Sequence, residues 1–363
     1  MANKKILLGL TYYLPNISGV TQYAVILAEE LVKRNYIVSV VCGNSSGNLP
    51  DKDIDNGVTI YRVRGRAFGK GFFMPLYPIV SLKLVSEHDV INCHLPSIES
   101  FWLALWGKLL GKKIIVTHHC EFNFTGTLNN KFISLVTFPI HWMVYMMADE
   151  IVSYTKDFAM TSIFLKHFIP KINYILPPIK VVDTQEKMNF GKGKIVGFVG
   201  RISWEKGLPI LLKAMKKVRA KLVIVGPYND VAGGDKTIDK IKNLFDENVI
   251  LQGPLTHSKL RTFYNSCDCL ALPSTNNLET FGIVQAEAMV SGCPVVASNL
   301  PGVRLPIKLT GMGEIVKIGN INDLAEKLNR VLRKGKKFYQ KIAVNLDRFD
   351  YKSTVSEYEK ILD

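Results

Sequence analysis

Long apolar runs are scarce in this 363-residue chain, and so is any concentration of one residue type. Two lysines precede only Ile6-Leu7-Leu8-Gly9-Leu10, too short an apolar core for a secretory leader and without a small-residue cleavage site. That stretch reads as a buried first strand. Phe132–Ala148 carries no acidic or basic side chain apart from His141, yet it falls short of a spanning helix and Pro139 interrupts it. It is expected to form a pair of apolar helices, partly buried and partly interfacial. Cysteine is sparse: Cys42, Cys93, Cys120, Cys267, Cys269 and Cys293 show no paired metal-ligand spacing, and Cys267-Asp-Cys269 is too tight for a zinc knuckle. Without a secretion signal, the expectation is reduced thiols in a cytoplasmic protein. Acidic residues are the minority charge, 31 against 46 basic, for a net of +15. That excess favours nucleic acid, anionic lipid or phosphorylated ligands. An RNA-binding signature and an arginine-rich tract with interleaved aromatics are both missing, which argues against direct nucleic-acid binding. Internal repeats and low-complexity segments are absent as well.

What is present is a globular composition, 47% hydrophobic and 21% charged, long enough for two domains. Strand-like Lys5–Leu10 is followed by helical spacing in Gly19–Arg34, then by strand-like Ile37–Cys42 and Val58–Val63. Val90–Cys93 and Ile114–Thr117 read as strands around an apolar helix, Ser100–Leu110, and Ile151–Ser153 and Tyr174–Leu176 complete the first half. Pro177-Pro178 and the polar stretch Lys180–Lys194 mark a hinge. A second series follows: Ile195–Val199, Leu222–Val225, Val249–Leu251, Cys269–Leu272 and Pro294–Ala297. The alternation predicts an α/β protein of two Rossmann-like domains, residues 1–178 and 179–344, with parallel sheets facing a common cleft.

Two motifs carry chemistry. Glu279-Thr-Phe281-Gly282-Ile283-Val-Gln-Ala-Glu287 sets one carboxylate in a loop and one on the helix that follows. A Phe-Gly step entering an apolar helix offers free backbone N–H groups to an anion, and the flanking carboxylates can accept hydrogen bonds from sugar hydroxyls. Upstream, Gly200-Arg201-(x)4-Lys206-Gly207 places two cations at the mouth of a predicted strand.

Together these motifs resemble the retaining nucleotide-sugar glycosyltransferases of the GT-B fold, family 4 in particular, most densely from Lys194 to Val303. The resemblance implies that Glu287 holds the donor ribose, that Glu279 contacts the transferred sugar, and that Arg201 and Lys206 bind the diphosphate. It also implies that Phe281, Gly282 and Ile283 bring backbone amides to the donor, and that Gly253 and Leu255 border the nucleobase. Gly19 opens the first helix, where backbone can approach diphosphate or sugar closely. His119, at a strand end, resembles the family histidine lining the donor sugar; adjacent His118 leaves the alignment free to slip by one. His94 resembles a second recurrent histidine, on the acceptor side. The plain alternatives are surface cations for Arg201 and Lys206, an ordinary turn at Gly19, and satisfied structural histidines. A tail from about 345 to 363 is expected to cross back as a helix onto the first domain.

The implied activity is transfer of a hexose, with retention, from a UDP- or GDP-sugar to a glycan or lipid-linked acceptor. No metal and no cofactor are expected, and no protein base is assigned because the leaving phosphate takes the proton. Departures from the family pattern are Pro178-Ile179 where relatives have Asn-Gly, Pro227 after Gly226, and Leu305 where many have Glu. A sugar-nucleotide epimerase would need further acid/base carboxylates, and a phosphorylase a lysine-bound pyridoxal phosphate and a longer chain. A non-catalytic sugar-nucleotide-binding subunit would not need the full set of Arg201, Lys206, Glu279 and Glu287. Arg62, Arg64, Arg66 and Lys70, beside Gly71-Phe-Phe, suggest docking on an anionic membrane from the cytoplasmic side.

Overall fold

The computed structural model describes residues 4–68, 71–121, 128–180, 184–227 and 237–363. The chain divides into two compact units, Met1–Pro178 with Tyr351–Asp363, and Ile179–Asp350.

In the first unit, β1 (Lys5–Gly9), β2 (Ile37–Gly43), β3 (Lys52–Asp55) and β4 (Val58–Val63) precede a short antiparallel hairpin of β5 (Arg66–Phe68) and β6 (Gly71–Phe73). Then come β7 (Val90–Leu95), β8 (Lys113–His118), β9 (Glu150–Ser153) and β10 (Ile172–Tyr174). Eight of these form one sheet in the order β10-β9-β8-β7-β1-β2-β4-β3. All its pairings are parallel except that of edge strand β3. The reason lies in the residues. A parallel strand covered on both faces must be apolar throughout, and β7 is buried at every position, whereas β3, Lys-Asp-Ile-Asp, is exposed or half-exposed along its length. The helices α1 (Gly19–Lys33), α2 (Tyr77–Glu87), α3 (Ser100–Leu109), α4 (Leu128–Met147) and α5 (Lys156–Ala159) make the connections.

The expected pair of helices around Pro139 is instead one helix, α4. Pro139 lies on its exposed side, where water can hydrate the carbonyl that loses its N–H partner. The buried side stacks Phe138 and Tyr145 on Phe164, at centroid distances of 4.8 and 5.2 Å. The expected basic surface cluster also changes. Arg62 is buried, with its guanidinium 3.4 Å from Asp53 on β3, and Arg64 pairs with Asp51. Lys70 lies outside the described residues.

The second unit contains β11 (Ile195–Val199), β12 (Lys221–Val225), β13 (Val249–Gly253), β14 (Cys269–Leu272), β15 (Val295–Ser298) and β16 (Gly313–Val316), all parallel, in the order β13-β12-β11-β14-β15-β16. Its helices are α6 (Leu208–Met215), α7 (Thr237–Ile241), α8 (His257–Ser266), α9 (Ile283–Val290), α10 (Leu305–Thr310), α11 (Ile321–Lys334) and α12 (Lys336–Ile342). Chain order reverses between β11 and β14. Open sheets of this kind bind ligands beyond the strand carboxyl ends at such a reversal, and the loops there are the two motifs.

The last helix, α13, spans Tyr351–Leu362. The chain returns to the first unit at Tyr351 and not near 345. Residues before that point are held in the second unit by Phe349, fully buried against Phe281 and accepting the Ile179 N–H at 3.2 Å. Tyr358 of α13 sits in a directed chain of hydrogen bonds. Tyr23 donates to Tyr358 (2.8 Å), Tyr358 to Thr117 (2.7 Å), and Thr117 to the Asn92 carbonyl oxygen (2.8 Å). The direction is forced, because the Asn oxygen can only accept. Among the described residues no helix is long and apolar enough to cross a membrane.

Tyr358→Phe removes the middle of this chain and leaves buried hydroxyl groups on α1 and β8 short of a partner. The expected cost is about 1–3 kcal/mol, read as a lowered urea midpoint with unchanged secondary structure. An unchanged midpoint contradicts the assignment.

Candidate active site

β11 ends at Val199, and the chain turns through Gly200, Arg201, Ser203 and a short 3-10 turn, Trp204–Lys206, into α6. Gly207 closes this turn with φ +71°, and a Cβ there would lie 1.9 Å from the Pro273 carbonyl oxygen. Only glycine lets the loop approach the end of β14 so closely. Gly226, after β12, repeats the device: at φ +149° a Cβ would lie 1.9 Å from the Gly200 carbonyl oxygen. The first motif is thus pressed between its two neighbouring loops, and the Thr275 N–H donates to the Glu205 carbonyl at 2.9 Å.

This packing brings the motifs together. Lys206 Nζ lies 2.6 Å from Glu279 Oε2, and buried Ser274 donates to the same oxygen at 3.3 Å. Both partners are mostly buried, so the pair is less screened than a surface bridge. Arg201 differs. Its side chain is 54% exposed and only 3.5 Å from Glu205. Such a pair is worth ~0–1 kcal/mol, so little restrains the guanidinium from turning to an anion. Phe281 packs its ring on Phe349, and its carbonyl accepts the Gln285 side-chain amide. Gly282, left-handed at φ +76°, caps α9, whose first residue is Ile283. Gly253 ends β13 and accepts the Gly226 N–H at 3.0 Å, with Leu255 half-buried just beyond.

Glu287 lies on the buried side of α9. Its Oε2 accepts the Tyr264 hydroxyl at 2.8 Å, and its Oε1 lies 3.4 Å from His257 Nε2. The hydrogen bond to Glu287 raises the pKa of His257 above the usual imidazole value, against the opposing effect of burial. Neither His257 nor Tyr264 was singled out by sequence reasoning. Their signal, two residues a double turn apart on one helix, points to a shared face but not to what it faces. Glu205 was likewise invisible, because the loop contact that places it is long-range.

In the first unit, Gly19 is exposed at the start of α1, where the Ser18 hydroxyl caps the helix by accepting the Thr21 N–H at 3.1 Å. His118 and His119, consecutive at the end of β8, enter different surroundings. His119 sits against Tyr23, with Nε2 2.8 Å from His94 Nδ1 and Nδ1 on the Tyr154 hydroxyl. His118 lies 2.5 Å from the Tyr145 hydroxyl and beside Phe158. The structure therefore joins His119 to His94 and separates both from His118. All three are buried, and burial pushes their pKa values down, to about 3 for His94 and His118. They are neutral at pH 7. The nitrogens His94 Nε2 and His118 Nε2 have no hydrogen-bond partner among the described residues. Glu121 turns inward, accepting the Ile163 N–H at 3.1 Å. Among the described residues no group of three His, Cys, Asp or Glu side chains is arranged to hold a metal ion.

Residues 17–174 match the family Glycosyltransferase Family 4, and residues 182–346 match Glycosyl transferases group 1. The chain belongs to the GT-B glycosyltransferases of the family 4 type. It is 28% identical over 346 residues to a glycosyltransferase of Methanocaldococcus jannaschii, across 84% of this chain and 83% of that protein. A D-inositol 3-phosphate glycosyltransferase of Mycobacterium bovis is 31% identical over 147 residues, 39% of this chain and 30% of that protein. In fold, the chain is similar to sucrose-phosphate synthase from Thermosynechococcus elongatus (TM-score 0.77, 17% identity, 99% and 98% of the two chains). It is equally similar to Anabaena HepE in complex with UDP and glucose (TM-score 0.77, 17% identity, 99% of each chain).

The buried imidazoles set an acid limit on stability. His94, His118, His119 and His141 stay neutral in the fold, whereas the unfolded chain takes up their protons below about 6.5. Stability is therefore full above about 6.5 and falls as the pH drops toward the folded-state values. Each histidine adds a slope of about 1.4 kcal/mol per pH unit. Glu99 and Glu121, raised by burial, oppose this only in the carboxylate range. Urea midpoints followed by tryptophan fluorescence, which reports mainly Trp102, Trp106 and Trp142 of the first unit, are expected to fall between pH 7 and 5.5. His118→Gln makes the fall shallower; an identical slope in the variant contradicts the reading.

Proposed function

We propose that this glycosyltransferase moves a hexose, with retention of configuration, from a UDP- or GDP-sugar to a hydroxyl of a glycan or lipid-linked acceptor. The observation that carries the reading is the Lys206–Glu279 pair at 2.6 Å, beside the exposed guanidinium of Arg201. At its anomeric junction a sugar diphosphate presents phosphate oxygens on one side and ring hydroxyls on the other. A cation touching a hydroxyl acceptor matches that junction. Arg201 forks onto phosphate oxygens, Lys206 adds a point charge, and the amides entering α9 add partial positive charge to the leaving diphosphate. Glu279 accepts from the sugar hydroxyls and Glu287 from the ribose. The leaving phosphate accepts the proton of the attacking hydroxyl, so neither a protein base nor a metal is assigned. His119 is proposed to line the donor sugar side and His94 the acceptor side, as the family resemblance implies. Both act as neutral imidazoles, consistent with their burial. A UDP-linked hexose is the first donor to try, since HepE is similar in fold and carries UDP and glucose.

The acceptor reading has its own support. α3 packs between α2 and α4. Across this layer Leu76, Ile79, Leu135 and Met146 are exposed on a chain of net charge +15. Apolar side chains standing clear of a basic protein suit an anionic membrane surface.

Thermal shift and transfer assays with UDP- and GDP-hexoses test the donor site. One nucleotide class is expected to stabilise the protein, and Glu287→Ala to abolish the shift. Lys206→Ala is expected to lower kcat/KM by about 10- to 100-fold, the loss of a charged hydrogen bond. Binding without turnover would favour a non-catalytic sugar-nucleotide subunit, and turnover without transfer an epimerase. Sedimentation with vesicles containing anionic lipid at low salt tests the membrane. The wild type should pellet, and Ile79→Glu with Leu135→Glu should stay in solution; a wild type that does not pellet ends this part of the reading.

A further inference from the structure

His257 and Tyr264 stand at opposite ends of α8, two turns apart, and so share one face. That face meets a single carboxylate. The Tyr264 hydroxyl, fully buried, donates to one oxygen of Glu287 at 2.8 Å, and His257 Nε2 lies 3.4 Å from the other. A carboxylate offers about two acceptor positions on each oxygen. With one on each taken from α8, one on each remains, side by side, which is the pattern a vicinal diol fills. We propose that α8 clamps Glu287 in the orientation that receives the ribose diol, and that His257 makes this clamp pH-dependent, so that affinity for a nucleotide sugar falls as the pH rises from 6.5 to 8.5. The proposal rests on the reading of Glu287 as the ribose contact.

The other charged groups packed around the pair do not replace His257. Arg261, also on α8, donates to the Val290 carbonyl at the far end of α9. Lys336 of α12 donates to the carbonyls of Tyr264, Asn265 and Cys267. Lys180, in the segment before β11, acts on His257 from outside the helix and opposes its protonation. The sign follows from charge. The His257 pKa is raised by the Glu287 hydrogen bond, so the ring is protonated below that raised value. In that form it holds the carboxylate by a charged hydrogen bond and offsets a negative charge that would otherwise repel the donor diphosphate. Above it, the neutral ring holds Glu287 less firmly and the full negative charge faces the ligand. His257 and Tyr264 are positioning residues, because they act through Glu287.

Titration calorimetry with UDP-glucose and GDP-mannose at pH 6.5, 7.5 and 8.5 tests this, since the diphosphate diester keeps the same charge throughout. For the probe that binds, the wild-type Kd is expected to rise about 3- to 10-fold across the range. His257→Gln, a half-buried position whose variant keeps a hydrogen-bond donor, should flatten the dependence. Tyr264→Phe should weaken binding about 5-fold at every pH and keep the slope. A flat wild-type profile, an unchanged slope in His257→Gln, or wild-type affinity in Tyr264→Phe overturns the clamp while leaving the donor site standing. Failure of both probes to bind at any pH overturns the donor reading together with it.

Discussion

The contact on which the second unit's chemistry depends is backbone against backbone. At Gly207 the chain passes so close to the Pro273 carbonyl that no side chain fits, and Gly226 does the same to Gly200. These approaches stack the loops after β11, β12 and β14 on the carboxyl edge of the sheet. Lys206, on the loop after β11, and Glu279, on the loop after β14, are thereby brought within 2.6 Å. Side-chain chemistry here is a consequence of missing side chains next door, in keeping with tight backbone approach as the main use of glycine at ligand sites.

The first unit is organised on a different principle. The end of its sheet is filled with neutral polar groups, three imidazoles, four tyrosines and a threonine hydroxyl, linked by hydrogen bonds. Such a network is costly to leave half-satisfied. The second unit by contrast gathers charge, with Lys206, Glu279 and Glu287 all largely buried and all paired within it. Burying the imidazoles among tyrosines keeps them neutral. Each unit thereby offers a ligand a different electrostatic character.

Much of the fold was legible because parallel strands are apolar on both faces and therefore conspicuous. β1, β7, β11 and β14 all stand out as short apolar runs. What escaped was edge structure, where burial no longer dictates composition: the polar strand β3, and the β5–β6 hairpin. Pro139 was read as a break because the sequence does not show that it would land on the wet side of α4. Arg62 was read as surface because its burial depends on Asp53, which reaches it through the unpredicted β3. At the site, the residues of the two motifs were legible from their spacing. Their partners Tyr264 and His257 were not, since each is set by how helices far apart in sequence come to lie together.

The position of α13 has a consequence for synthesis. The helix is made after the whole second unit, yet its Tyr358 completes the hydrogen-bond chain of the first unit, whose other parts precede Ile179. On the ribosome the second unit, a continuous segment, can finish folding while the older first unit still lacks its closing helix. Until that helix emerges, the Tyr23 hydroxyl lacks its acceptor, and Thr117 keeps only its bond to Asn92 at an open seam. The order of completion is thus the reverse of the order of translation.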